Sequence, residues 1–85
     1  MSIQIMREAS LARAKQVNEH LHRAAESGAF LNLIEADRAR VDKLQASLVN
    51  QLIKVIENMD SEVTIKALLT MSDELEKAII DAERL

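Results

Sequence analysis

Apolar residues recur at helical spacing along three stretches of the chain, and the width of the apolar arc differs between them. In the first stretch Ile3, Met6, Ser10, Ala14, Val17, Leu21, Ala24 and Ala25 fall within an arc of about 100° when residues are placed 100° apart. Several of these are small, so a neighbouring helix can approach closely. The opposite side carries Glu8, Lys15, Glu19, Arg23 and Glu26. Lys15–Glu19 and Glu19–Arg23 are spaced i,i+4, worth only ~0.3–0.5 kcal/mol each on an exposed face. This side is expected in water.

The second stretch is broader. Val41, Leu44, Leu48, Val49, Leu52, Ile53, Val55, Ile56 and Met59 cover about 180°, with Asn50, Lys43 and Lys54 marking the wet side. A helix apolar over half its circumference needs more than one neighbour. The third stretch places Ile65, Leu68, Met71, Leu75, Ala78, Ile79, Ala82 and Leu85 on one face. Leu69 and Ile80 lie outside that face, three turns apart, near Glu62, Asp73 and Glu76. Met6, Met59 and Met71 read as core filler.

The breaks between stretches are few. The 85 residues include no proline and one glycine, Gly28, and these are the residues that interrupt helices, at about 3 and 1 kcal/mol respectively. One turn is expected at Glu26-Ser27-Gly28-Ala29, with Gly28 in the left-handed conformation. After it, a helix can restart at Ala29, or at Asn32, which forms a capping-box pattern with Glu35. A second turn is expected at Asn58-Met59-Asp60-Ser61, with Asp60 or Ser61 capping the next helix and Glu62 in its first turn. The pattern predicts helices over about 2–27, 30–58 and 61–84, each roughly 36–43 Å long. The fold class is all-α: a single domain built as a small up-down-up three-helix bundle or helical hairpin with coiled-coil-like packing. The competing geometry keeps Gly28 inside one long helix, which would make an arm exchanged between subunits.

Composition narrows the kind of core. Phe30 is the only aromatic residue, so the core is built from Leu, Ile, Val, Ala and Met, which suits long helices side by side better than a globule around a ligand. Two polar residues interrupt the apolar arc of the second helix. Asp37 comes opposite Glu19, His20 and Arg23 and can pair with Arg23 or His20, while Gln45 can set register. The plainer reading places both where helices splay and water enters.

Candidate chemistry is sparse. The net charge is −3, with seven Lys/Arg against six Asp/Glu in residues 1–45 and four against eight in 46–85. Neither half is basic enough to bind nucleic acid by charge. Arg38 faces a different side from Arg40 and Lys43, so they form no groove-reading stripe, and no aromatic is interleaved with them for base stacking, which argues against a nucleic-acid partner. The absence of cysteine excludes disulfide and thiolate chemistry. Glu19 and His22 have the Glu-x-x-His spacing of helical di-metal sites, yet they point to the charged side, so no metal and no cofactor is expected. The serines lack a glycine-bounded elbow and there is no glycine-rich phosphate loop, so no catalytic residues are assigned. The start MSIQIMREAS lacks the order of a secretory signal and no apolar run approaches ~18 residues, so a cytoplasmic protein with no membrane partner is expected.

What remains is an interaction surface. The reading is a small non-enzymatic protein–protein interaction module, a homo-oligomeric assembly factor, adaptor or chaperone acting through an apolar helix face. Its partner is a second copy of itself, another protein, or both. The expected interface centres on Leu48, Leu52, Val55, Leu69 and Ile80, with the Glu19/Arg23 face in water. The alternative is a small phage-type inhibitor that binds and blocks a host enzyme or defence complex. A monomeric three-helix bundle competes with self-association.

Overall fold

The computed structural model describes residues 2–57 and 61–85, which form three helices: α1 (Ile3–Glu26), α2 (Glu35–Glu57) and α3 (Glu62–Glu83). The chain is all-α, and no strand occurs among the described residues. Local chemistry sets the ends. The Ser2 hydroxyl accepts from the Ile5 N–H and the Ser61 hydroxyl from the Thr64 N–H, both at 3.3 Å, each satisfying an amide that the helix leaves without a partner. Asn58, Met59 and Asp60 of the expected second turn lie outside the described residues, and Ser61 is the cap of α3.

At the other turn α1 closes on Gly28, whose φ is +82°. The Ala29 N–H donates to the Ala24 carbonyl and the Gly28 N–H to the Ala25 carbonyl, at 3.0 and 3.1 Å. That is a Schellman closure, with glycine at the left-handed position. Gly28 is therefore a turn residue and not part of a longer helix. Replacing it with alanine is expected to lower stability by about 1–2 kcal/mol, the cost of a Cβ in that conformation. The new Cβ would also meet Leu31 Cδ1 at 3.2 Å. A urea titration checks this, and an unchanged midpoint would contradict it.

The expected start of the second helix near residue 30 is corrected: α2 begins at Glu35. The Ile34 carbonyl accepts the first amide bonds, from Asp37 and Arg38, so neither Ala29 nor Asn32 opens the helix. Residues 29–33 instead make tight turns, with the Leu31 and Leu33 N–H groups bonded to Gly28 and Phe30. The physical reason lies in packing at the end of the bundle. Ala29, Phe30 and Leu33 are half-buried against the core, closing an end that a continuous helix would leave open.

The helices run up, down and up. Arg13 pairs with Asp73 and His20 with Glu83, so α1 and α3 are parallel, and α2 is antiparallel to both. α3 is the central element and packs along both neighbours, whereas α1 and α2 touch only sparingly. Its Ile65, Leu68, Leu75 and Ile79 are fully buried and share one core cluster with Val17 and Leu21 of α1 and Leu48 and Val55 of α2. Two small polar residues, Ser10 of α1 and Ser72 of α3, are also fully buried. Their hydroxyls donate back to the carbonyls of Arg7 and Leu68, both at 2.8 Å, so neither polar group is left unsatisfied.

The molecule measures 42 × 18 × 16 Å, with a radius of gyration of 13.6 Å. A compact domain of this length would have about 12 Å. Its accessible surface is 5656 Å², against about 5,000 Å² for an ordinary monomer of this mass. The rod leaves more of itself in water than its size requires.

Candidate functional site

α2 carries the surface that the fold leaves uncovered. Its 180° apolar arc is divided by the position of α3. Val41, Leu48, Gln51 and Val55 face inward and are buried, and the Gln51 amide donates to the Thr64 carbonyl at 3.1 Å. The other half of the arc faces out, with Val49, Ile53 and Ile56 at 44%, 46% and 58% exposure. Their i, i+4, i+7 spacing puts them on one stripe of a regular helix, continued toward the N-terminus by exposed Ala46.

Beside this stripe runs the cleft between α1 and α2. One end is a mainly apolar hollow of about 190 Å³ lined by Leu11, Ala14, Lys15 and Asn18 of α1 and Leu48, Val49 and Leu52 of α2. A second hollow of about 240 Å³ lies along the same cleft, between His22 and Ala25 on one side and Arg38 and Asp42 on the other. Both fall short of the ~300 Å³ at which pockets begin to hold small ligands. The cleft suits side chains arriving from a partner helix better than a metabolite.

The expected interface residues do not form one surface. Leu48 and Val55 are buried inside the bundle and Leu52 is half-buried at the cleft. Leu69 and Ile80 are half-buried as well, which corrects the expectation that they stand free. They belong to the stripe 69, 73, 76, 80 and 83, whose acidic members reach α1. Asp73 accepts from Arg13 at 3.2 Å, and Glu76 and Glu83 meet the two ring nitrogens of His20 at 2.5 and 2.8 Å. Leu69 and Ile80 therefore share the flank of α3 that meets α1. The residues that are exposed, Val49, Ile53 and Ile56, were legible in the width of the arc; which half stayed open was not.

The other marked positions also find their places. Asp37 is exposed and pairs with neither Arg23 nor His20, because His20 is engaged by α3. Gln45 is half-buried in the α1–α2 cleft and makes no side-chain hydrogen bond among the described residues, as expected where helices splay. Glu19, His22 and Arg23 are exposed. Among the described residues no three His, Cys, Asp or Glu side chains gather as metal ligands, and no helix is long and apolar enough to cross a membrane. The remaining large exposed aliphatics lie at element ends: Ile5, Val63 and Leu85 at the helix termini, Leu31 and Ile34 in the connection. Compared with known proteins, the chain matches no family model, no curated protein and no solved structure, so its surface chemistry alone carries a functional reading.

Proposed function

We propose that this chain is a small, non-enzymatic protein-interaction module that self-associates, in the manner of an assembly factor, adaptor or chaperone, through the outward flank of α2. The observation that carries the reading is the stripe of Val49, Ile53 and Ile56, contiguous with the apolar hollow at Leu11, Leu48 and Leu52. Scattered exposed aliphatics are ordinary on a monomer; aligned ones beside an open cleft mark an association surface. The excess accessible surface of the rod points the same way, since burying it in a partner adds apolar burial that an 85-residue core cannot supply internally.

The working surface is a helix face and the event is docking of another helix along it. Sedimentation of the intact chain from low to high micromolar concentration tests the reading. The expected result is a mass that rises with concentration above the 9.5 kDa of one chain. A strict monomer throughout that range would overturn it.

A further inference from the structure

We propose that the occupant of the α2 flank is the α2 flank of a second copy, laid antiparallel about a twofold axis at the level of Gln51. The inference rests on the self-association proposed above and goes further by naming the helix, its direction and the polar pairs that select it.

Ala46, Val49, Ile53 and Ile56 repeat with the 3-4-3 spacing of a coiled-coil seam, and all four are exposed on one continuous helix. Antiparallel pairing of identical seams matches Val49 with Ile53 and Ala46 with Ile56 of the other copy, so every apolar layer is filled. Such a twofold contact is isologous and closes on itself, which the symmetry of soluble homo-oligomers favours.

Flanking charge selects the direction. On the side of the seam away from the cleft stand Lys43, Asn50 and Glu57, all exposed. Antiparallel seams bring residues of the same flank face to face. Lys43 then meets Glu57 of the second copy, twice per dimer by symmetry, and Asn50 meets Asn50 at the axis, where two carboxamides can exchange hydrogen bonds. On the cleft side Leu52 meets Leu52. A parallel pairing crosses the flanks instead. It would set Arg38 beside Lys43 and Leu52 beside Glu57, one like-charge contact and one carboxylate against an aliphatic. The antiparallel arrangement pairs Lys43, Asn50, Leu52 and Glu57 with matching partners, whereas the parallel one makes a like-charge pair and sets a carboxylate against leucine.

The apolar seam from Ala46 to Ile56 is only about 15 Å long, so the flanking pairs carry a measurable share of the affinity. The test is charge reversal in the intact chain, at exposed positions where the bundle itself has nothing to lose. Lys43→Glu places Glu opposite Glu57 at both ends of the dimer, and Glu57→Lys places Lys opposite Lys43. Each variant alone is expected to dimerise about tenfold more weakly than the parent protein. An equimolar mixture, one variant labelled with ¹⁵N, is expected to form the mixed dimer in preference to either homodimer by native mass spectrometry, because both opposite-charge contacts are restored. Circular dichroism confirms that each variant keeps its helices.

Variants that dimerise as tightly as the parent, or that mix statistically, would overturn the antiparallel pairing while leaving self-association intact. A parent chain that stays monomeric would overturn the self-association and this pairing together, so the two failures are told apart by the parent alone.

Discussion

Leu75→Ala is expected to lower the unfolding free energy by about 3–4 kcal/mol, the middle of the range for a buried leucine. Leu75 is fully buried on α3, the helix that both others pack against. The cavity would therefore open between α1 and α2, and no single helix could shift to close it without losing contact with the other. A domain of this size has only about 4–13 kcal/mol in total, so the variant approaches the edge of folding. The melting temperature should fall by roughly 12–32 °C. A loss below about 1 kcal/mol would mean that the α3 face repacks freely and that α3 is not the central element.

Ile53→Glu is expected to do the opposite: leave the bundle intact and abolish association. Ile53 is 46% exposed on the outward side of α2, where a carboxylate stays hydrated and costs the monomer within about 0.5 kcal/mol. In a helix-to-helix seam the same carboxylate would be desolvated against Val49 of the partner, at several kcal/mol for an unpaired charge. Two such sites per dimer remove association over the whole micromolar range. The measurement is sedimentation with circular dichroism on the same samples. If Ile53→Glu still associates like the parent, the α2 flank is not the interface.

The contrast with Leu69 and Ile80 is instructive. Read from the helical wheel alone, changing both to Glu should spare the fold and break an interface. In the folded chain they are half-buried on the flank of α3 that meets α1, alternating with Asp73, Glu76 and Glu83. Two further carboxylates there would repel three existing ones and lose apolar contact at the seam. Destabilisation is the expected outcome.

The wheel misplaced this pair because it takes the best apolar face of α3 as the only buried one. A central helix has two neighbours, and its second contact can be a mixed stripe held by Arg13 and His20 across the seam. The capping pattern at Asn32 failed for a related reason. Its local geometry was sound, but the end of the core needed Phe30 and Leu33, and burial of those side chains outweighs one cap of about 1 kcal/mol.

Three helices, the Gly28 closure, a cap at Asp60 or Ser61 and most of the inward faces of α1 and α3 were present in the sequence, because each depends on residues within a few positions of one another. Ala25 and Leu85, read onto those faces, are exposed. The unusual width of the apolar arc on α2, and with it the need for a further neighbour, was present too. Only the tertiary structure decided how that arc is shared. With α3 standing between its neighbours and α1 barely touching α2, Leu48 and Val55 are enclosed while Val49, Ile53 and Ile56 remain in water. The division follows from where two other helices lie in space, and no periodicity within α2 encodes that position.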